Sequence, residues 1–316
     1  VQVELSNYTL YGRVGIGSYG EVCKIKEDKT GELYAAKILF KPISETTKSE
    51  KISLYRELNI MSKINHPNIV KFIGFSPINF HNEDKPVIIT ELVSEGSLMS
   101  ILEKERSGLS PDLWDDTHKL ISIYSIASAM SFLHSHGIIH RDLKPANILM
   151  NDELYPKVAD FGLSKIINKE GSESFLSDSS SGLKGTPIYM APESIVSHLY
   201  TNACDVYAYG IILYEIVTGE IPFKGFNMYQ ILTQIPSGLR PKFSGSVPLV
   251  FQELIESCWN QESAKRPKFN EIVDQLKNNP EFITGTADKD DYLNYIEYVE
   301  KYEIKYNKNR KIISLK

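Results

Sequence analysis

A run of mostly polar residues from His140 to Asn147, followed by Asp160, constrains the fold of this chain more than any other feature of its sequence. It comes after a stretch, 118–136, whose apolar residues recur at helical spacing. The run contains Asp142 and Asn147. Together with Asp160, they are three side chains with oxygen atoms that lie close together in the chain. Such atoms are the ligands that Mg²⁺ prefers when it is held against phosphates. Phosphoryl transfer needs mainly positioning and neutralisation of charge, and the segment indicates a site for that chemistry.

Three glycines, Gly15, Gly17 and Gly20, lie between two predicted strands, 8–14 and 22–26. Because glycine has no Cβ, backbone amides in such a turn can approach phosphates closely. The pattern alone is weak, since glycine-rich hairpins are common. A dinucleotide-binding site would require a helix after the glycines, whereas a strand is predicted there.

Lys37 lies in a third predicted strand, 33–40, and Glu57 lies in a predicted helix, 48–63. The ammonium group could pair with phosphates below the glycine turn, and the carboxylate could hold the lysine in place. The alternative is that both residues are simply solvated, which is the common state of a single strand lysine or a helix glutamate.

The predicted elements change character along the chain. Two further strands are predicted at 69–74 and 86–92, after which the remaining elements are helices, predicted at 118–136, 202–217, 227–234, 249–259 and 269–277. The first of these helices is predicted to be amphipathic, with one apolar face formed by Leu120, Ile123, Tyr124, Ala127 and Met130. A small β-rich part is therefore expected to precede a larger helical part.

Composition excludes several classes of protein. The 316 residues carry a net charge of −5, which gives a nucleic-acid partner no support. No stretch is long and apolar enough to span a membrane. The three cysteines are too far apart to indicate a zinc cluster or a disulfide framework, and they favour a reducing, cytoplasmic location: Cys23, Cys204 and Cys258. The chain begins at Val1, which is compatible with its being part of a longer protein.

Taken in order, the motifs resemble those of the protein kinase family. The set consists of the glycine turn, Ala35-Ala36-Lys37, Glu57, His140-Arg141-Asp142, Asp160-Phe161-Gly162, Ala191-Pro192-Glu193 and Asp205. The resemblance covers about residues 8–276. It implies an α+β, bilobal kinase fold, with a small β-rich N-lobe at 1–92 and a larger, mainly helical C-lobe at 93–279. Residues 280–316 are expected to form an amphipathic helical tail.

The resemblance also implies roles for individual residues, with ATP and Mg²⁺ as cofactors. Asp142 would accept the proton of the substrate hydroxyl, Lys144 would contact the γ-phosphate, and Lys37, paired with Glu57, would anchor the other phosphates. Asn147 and Asp160 would hold Mg²⁺. The residues expected to bind ATP are Val14, Gly15, Ile16, Gly17, Ser18, Tyr19, Gly20, Glu21, Val22, Ala35, Lys37, Thr90, Glu91, Val93 and Leu149. A buried pair between Glu193 and Arg266 is expected in the C-lobe.

The resemblance extends to a branch of the family. Lys144-Pro145 and Gly185-Thr186-Pro187 resemble serine/threonine kinases, whereas Cys258-Trp259 and Arg266-Pro267 resemble tyrosine kinases. This mixture is typical of the tyrosine-kinase-like group, whose members mostly phosphorylate serine and threonine of protein substrates. Dual-specificity or tyrosine kinase activity is the alternative. A pseudokinase scaffold is a further alternative, although the lysine and both aspartates that pseudokinases usually lose are present.

Two segments carry expectations about regulation and partners. Residues 170–184 are rich in serine and glycine and are expected to form a mobile loop. Either this loop is phosphorylated, with Ser177, Ser179, Ser180 and Ser181 as the candidate sites, or its serines only keep it soluble. In the tail, aromatic and aliphatic residues recur at helical spacing from Tyr292 to Tyr306. That stripe is expected either to dock on the chain's own helical part or to bind a partner.

Overall fold

The computed structural model describes residues 2–17, 20–161, 165–166 and 186–313. Its backbone contacts divide the chain into two compact units. The first unit, here called the sheet unit, comprises Val1–Asn65 and Val70–Ser94. The second, here called the helical unit, comprises His66–Ile69 and Glu95–Lys316.

The sheet unit is a five-stranded antiparallel sheet with one long helix. Its elements in chain order are β1 (Tyr8–Ile16), β2 (Gly20–Glu27), β3 (Leu33–Leu39), α1 (Lys48–Met61), β4 (Phe72–Ser76) and β5 (Val87–Glu91). The strands are hydrogen-bonded in the order β1-β2-β3-β5-β4. Helix α1 begins where the sequence predicts, because Thr47 and Glu50 form a reciprocal capping box. Strand β4 begins at Phe72 rather than at the predicted position 69.

Alternation along the strands separates a packed face of the sheet from a second face. The packed face consists of Cys23, Ile25, Ala36, Ile38, Val87 and Ile89, all buried in one cluster. Since successive side chains of a strand point to opposite faces, the residues between them belong to the other face. The register pairs Val22 with Lys37 and Ala35 with Thr90, so these four residues share that second face.

The helical unit contains eight α-helices and two small two-stranded sheets among the described residues. Its elements in chain order are α2 (Leu98–Arg106), α3 (Asp116–Ser135), β6 (Ile138–Ile139), β7 (Ile148–Met150), β8 (Pro156–Val158), β9 (Lys165–Ile166), α4 (Pro192–Ser197), α5 (Asn202–Thr218), α6 (Met228–Gln234), α7 (Leu249–Cys258), α8 (Phe269–Asn278) and α9 (Lys289–Ile313). Strand β6 pairs with β9, and β7 pairs with β8. With the sheet unit, this arrangement confirms the predicted α+β kinase fold.

The prediction of an amphipathic helix at 118–136 is wrong in one respect. Helix α3 lies where predicted, but almost every residue from Leu120 to Leu133 is buried, including Ser122, Ser125 and Ser128. The reason is that α5, α8, β8 and α9 all pack against α3, so no side of its central turns faces water. Because these three serines are polar, the sequence indicated a solvent-exposed face that α3 does not have.

Helix α9 at the end of the chain docks on the helical unit. Tyr292, Tyr295, Ile296 and Val299 are buried, and the helix packs on α3. The hydroxyl of Tyr292 donates to the carbonyl of Leu276 at 2.9 Å. The first four residues of the apolar stripe are therefore covered by the chain itself, which favours the docking alternative, while Tyr302 and Tyr306 are half-buried.

None of the helices in the described part of the chain combines the length and the apolar composition that crossing a membrane requires.

Candidate active site

The glycine turn joins β1 to β2 in the sheet unit. The N–H of Gly17 donates to the carbonyl of Gly20 at 2.8 Å, which closes the turn. A Cβ on Gly20 would collide with the backbone carbonyl of Ile38, so only glycine fits at that point of the sheet. The side chains of Val14 and Ile16 are mostly exposed. Ser18 and Tyr19, which the sequence places at the tip of this turn, lie outside the described residues.

Lys37 and Glu57 are brought together within the sheet unit. The Nζ atom of Lys37 lies 3.6 Å from Oε1 of Glu57. Their side chains are 29% and 11% exposed, so the lysine still reaches solvent while the carboxylate is nearly buried. A lysine held in this way keeps a fixed positive charge on the second face of the sheet, beside Val22 and Ala35.

Strand β5 ends in a segment, Thr90 to Val93, that the family resemblance assigns to ATP binding. Thr90 lies opposite Ala35 on the second face. The N–H of Glu91 donates to the carbonyl of Lys71 at 2.9 Å, so this N–H is used by the sheet. The Thr90 hydroxyl donates to the Glu91 carbonyl at 3.2 Å, and a carbonyl oxygen can accept a second hydrogen bond.

In the helical unit, Asp142, Lys144 and Asn147 form one hydrogen-bonded group. The Nζ atom of Lys144 lies 2.7 Å from Oδ2 of Asp142 and donates to Oγ1 of Thr186 at 2.9 Å. The amide nitrogen of Asn147 donates to the carbonyl and to Oδ2 of Asp142, at 2.8 and 3.1 Å. Because the amide nitrogen is used in this way, the amide oxygen is the atom with which Asn147 can ligate a cation.

The backbone of this loop is anchored on the buried carboxylate of Asp205, at the start of α5. Its two oxygens accept the N–H groups of His140 and Arg141, each at 2.9 Å. Nε2 of His134 lies 2.9 Å from the same carboxylate. Burial by itself would raise the pKa of Asp205, but the hydrogen bond and charge of His134, with further contributions from His140 and Arg141, outweigh it and hold the pKa below its ordinary value. Asp205 therefore stays ionised and fixes an irregular backbone.

His140 ties the loop to the residues around Asp160. Its Nδ1 accepts the N–H of Asp142 at 3.4 Å, which leaves Nε2 as the donor to the Ala159 carbonyl at 3.0 Å. The rings of His140 and Phe161 lie 5.5 Å apart, and both side chains are buried.

Asp160, between Ala159 and Phe161 in the chain, is exposed and has a left-handed backbone with φ of 63°. Backbone conformations of this kind are uncommon for residues other than glycine and cluster at functional sites.

The expected pair between Glu193 and Arg266 is confirmed. The guanidinium donates to both carboxylate oxygens, at 2.7 and 2.8 Å, and to the carbonyl of Ala203 at 2.8 Å. The Arg266 side chain is fully buried. A bidentate contact of this kind fixes the start of α4, next to the segment that contains Thr186.

Sequence reasoning missed a second buried network next to the loop. Tyr189 donates to Oε1 of Glu215 at 2.6 Å, and Arg106 donates to Oε2 of Glu215 and to the carbonyl of Gly219, at 2.6 and 2.8 Å. Burial raises the pKa of Glu215, and the hydrogen bonds from Tyr189 and Arg106 offset this only in part. No spacing in the sequence signals the network, because its members are far apart in the chain and none has a periodic partner.

The donor groups fit Mg²⁺. Asp160 supplies a carboxylate and Asn147 an amide oxygen, and Mg²⁺ usually takes one or two protein oxygens together with phosphates and water. The described residues contain no group of three or more His, Cys, Asp or Glu side chains arranged to hold a metal. Such a cluster is not required for a metal that is shared with phosphates. The candidate phosphorylation sites Ser177, Ser179, Ser180 and Ser181 lie outside the described residues.

Comparison with known proteins agrees with this geometry. Residues 8–276 match the family of protein tyrosine and serine/threonine kinases. A probable serine/threonine-protein kinase of Dictyostelium discoideum is 33% identical over 288 residues, which are 89% of this chain and 29% of that protein. A probable LIM domain-containing serine/threonine-protein kinase of the same organism is 38% identical over 237 residues, 74% of this chain and 23% of that protein.

A plant relative gives the same result. The serine/threonine-protein kinase STY17 of Arabidopsis thaliana is 33% identical over 281 residues, 87% of this chain and 45% of that protein. The chain belongs to the protein kinase family, and its relatives place it in the tyrosine-kinase-like group that its motifs indicate. It spans less than half the length of each of these relatives.

Proposed function

We propose that this kinase domain transfers the γ-phosphate of ATP to serine and threonine hydroxyls of protein substrates. The observation that carries the proposal is Lys144, whose Nζ contacts both the carboxylate of Asp142 and the hydroxyl of Thr186. The lysine joins the proposed base to the segment that resembles the threonine-containing segment of serine/threonine kinases. The relatives described above are named as serine/threonine kinases, which favours the same specificity.

The proposed mechanism assigns each polar group in the helical unit a task. Asp142 orients the substrate hydroxyl and accepts its proton as the oxygen attacks. Lys144, 2.7 Å from that carboxylate, supplies positive charge for the phosphoryl oxygens. Asn147 and Asp160 would hold Mg²⁺. When bound, ATP and Mg²⁺ supply the reactive phosphoryl group and neutralise its charge.

The second face of the sheet unit is proposed to bind the nucleotide. Lys37, held by Glu57, would anchor the α- and β-phosphates, and Val22, Ala35 and Thr90 on the same face would contact adenine. The glycine turn would supply backbone N–H groups to the phosphates. At Gly20 the carbonyl of Ile38 lies so close that a side chain would not fit. Val93 and Leu149 are further residues that the family resemblance implies for ATP binding.

We also propose that the enzyme is activated by phosphorylation of one of Ser177, Ser179, Ser180 or Ser181. Arg141, which directly precedes Asp142, offers a guanidinium suited to bidentate phosphate contact. Replacement of all four serines by alanine, and phosphatase treatment of the wild type, should each reduce activity. Full activity after both treatments would exclude this switch.

The domain division and the location are proposals as well. Residues 1–92 and 93–279 would be the two lobes of one kinase domain, and 280–316 its tail. A cytoplasmic location is suggested by three buried free thiols, at Cys23, Cys204 and Cys258. Burial raises the pKa of both Cys204 and Cys258 to about 12, so these two thiols are unreactive. Imaging the tagged full-length protein in its own cells would test the location.

The deciding experiment is transfer of radiolabelled phosphate from ATP to a generic protein acceptor, followed by phosphoamino-acid analysis. Phosphoserine or phosphothreonine is expected, and the Asp142→Asn variant should give only background. Mainly phosphotyrosine would support the tyrosine-kinase alternative. No transfer by wild-type protein, with or without phosphorylated loop serines, would support the pseudokinase alternative.

A further inference from the structure

The segment His66–Ile69 has an unusual place in the chain. It connects α1, which carries Glu57, to β4, and both of these elements belong to the sheet unit. The segment itself is grouped with the helical unit by its contacts. Whatever holds these four residues therefore acts on the covalent connection that leads into α1.

Strand β8 holds the backbone of this segment. The N–H of Val158 donates to the carbonyl of Asn68 at 2.8 Å, and Nζ of Lys157 donates to the carbonyl of Pro67 at 3.0 Å. These contacts leave the side chains of His66 and Asn68 to be satisfied elsewhere, and both side chains are buried. Buried polar groups of this kind need partners.

Helix α9 supplies a partner for Asn68. The amide nitrogen of Asn68 donates to the hydroxyl oxygen of Tyr295 at 2.6 Å and to the carbonyl of Pro156 at 3.2 Å. The hydroxyl of Ser125, on α3, lies 2.9 Å from the same Tyr295 oxygen. Tyr295 is thus held between α3 and the segment, and its ring also contacts Tyr155 at 4.6 Å between centroids.

The same helix supplies a partner for His66 two turns further on. Nδ1 of His66 accepts the N–H of Asn68 at 3.1 Å, which makes Nε2 the donor to Oε1 of Glu303 at 2.9 Å. The hydroxyl of Ser128 donates to the same carboxylate oxygen at 3.3 Å. Burial lowers the pKa of His66 more than Glu303 raises it, which agrees with a neutral ring that donates one hydrogen bond and accepts another.

We propose that α9 is a positioning element of the kinase, and that Tyr295 and Glu303 are positioning residues that act through Asn68 and His66 on the connection to α1. The inference rests on the proposed kinase activity. In this arrangement the two residues of the tail lie within hydrogen-bond distance of both polar side chains of the segment. Loosening either contact changes how firmly α1, and with it Glu57, is placed for its contact with Lys37.

The test uses the full chain and two pairs of matched variants. Tyr295→Phe removes the buried hydroxyl, and Tyr298→Phe removes an exposed hydroxyl from the same helix. Glu303→Ala removes the acceptor of His66, and Glu297→Ala removes a carboxylate whose only described ion pair, with Lys301, is exposed. The values of kcat and of KM for ATP are measured at a temperature well below every melting midpoint, so that all variants are folded.

We expect Tyr295→Phe and Glu303→Ala each to lower kcat/KM for ATP by about three- to tenfold, the range of mutations that act on a coupling between sites. The two control variants should match the wild type. Glu303→Gln should recover most of the loss, because its amide oxygen still accepts from His66 and Ser128. Recovery by the isosteric variant separates loss of this contact from a general change in helix stability.

Three outcomes would decide against the inference. If Tyr295→Phe and Glu303→Ala had the same kinetic constants as the two controls, even with a lower melting temperature, α9 would contribute to stability only. Equal losses in all four substitutions, or no recovery by Glu303→Gln, would do the same. If the wild type transfers no phosphate, the proposed function fails first. In that case hydrogen exchange of the α1 amides still decides: faster exchange in Tyr295→Phe and Glu303→Ala, but not in the controls, supports the inference, and unchanged exchange overturns it.

Discussion

The two units hold their charged groups in opposite ways. In the sheet unit, the pair between Lys37 and Glu57 is partly exposed, and its Nζ–Oε1 distance of 3.6 Å is long. In the helical unit, the carboxylates of Asp205 and Glu215 are buried and each accepts several hydrogen bonds. The sheet unit presents charge on a regular surface, whereas the helical unit uses charge inside to fix irregular backbone.

The difference follows from secondary structure. A strand places Lys37 on the second face through alternation and register, and Glu57 on α1 then pairs with it. The loop from His140 to Asn147 has no such repeat, and its N–H groups must find acceptors. The carboxylate of Asp205 provides them at two successive positions. Substitutions in the two units should therefore separate effects on activity from effects on stability.

The largest expected effect is on activity and comes from an exposed residue of the helical unit. Asp160→Asn should reduce phosphate transfer by about a thousandfold or more, since it removes the proposed carboxylate ligand of Mg²⁺. The melting temperature should hardly change, because the Asp160 side chain does not pack in the core. Asp152→Asn, at an exposed position in a nearby turn, is the control. Near-normal turnover by purified Asp160→Asn would remove this residue from the site.

The next largest effect is on stability. Arg266→Ala leaves Glu193 with a largely buried charge that has lost its bidentate partner, which should cost about 3–5 kcal/mol. For a chain of this size that corresponds to a drop of roughly ten degrees in melting temperature. Lys265→Ala, at the adjacent residue, breaks only an exposed pair with Glu262 and should leave the melting curve unchanged. Equal melting curves for both variants would show that burial of the pair does not matter.

A smaller effect, mainly on activity, is expected in the sheet unit. Lys37→Met should lower transfer by about a hundredfold, because one charge that stabilises the phosphates is lost. Its melting temperature should fall less than that of Arg266→Ala, because the Lys37–Glu57 contact is long, at 3.6 Å, and the Lys37 side chain is partly exposed. Lys41→Met, which breaks the exposed pair with Glu50, should change neither quantity. A large loss of stability in Lys37→Met would contradict the contrast between the units.

Much of the fold could be predicted because helices and strands produce a periodic pattern of apolar residues in the sequence. The predicted strands at 8–14 and 22–26 lie within β1 and β2, and α5 begins at Asn202 as predicted. Helix α2 was not predicted, since its nine residues include several charged ones and its start depends on a capping box between Ser97 and Ser100. The register that puts Lys37 and Thr90 on one face could not be predicted either, because strand pairing is a tertiary property.

The site could be predicted only where motifs carry it. The sequence identified Asp142, Lys144 and Asn147, which the structure joins by hydrogen bonds. It did not identify His134 or Arg106, whose partners lie far away in the chain. No spacing in the sequence indicates that a single histidine or arginine of a helix contacts a buried carboxylate on another helix. These two residues could therefore be identified only from the packing of the helices in the structure.

The smallest expected effect tests whether buried polar groups in the helical unit always need partners. Tyr207 and Tyr209 lie two positions apart on α5, and both are fully buried. The Tyr209 hydroxyl donates to the carbonyl of Ile123 at 3.0 Å, whereas the Tyr207 hydroxyl has no hydrogen-bond partner among the described residues. The Tyr207 ring instead lies below the guanidinium groups of Arg240 and Arg266, at 5.0 and 5.2 Å.

Tyr209→Phe should therefore cost about 1 kcal/mol, because it leaves a buried carbonyl without its donor. Tyr207→Phe keeps the ring contacts with the two guanidinium groups and removes only a buried hydroxyl that forms no such bond, so it should be neutral or slightly stabilising. Chemical denaturation of the two variants beside the wild type measures the difference. If Tyr207→Phe were as destabilising as Tyr209→Phe, the Tyr207 hydroxyl would have to form a hydrogen bond in solution. In that case the requirement that buried polar groups have partners would hold for Tyr207 as well.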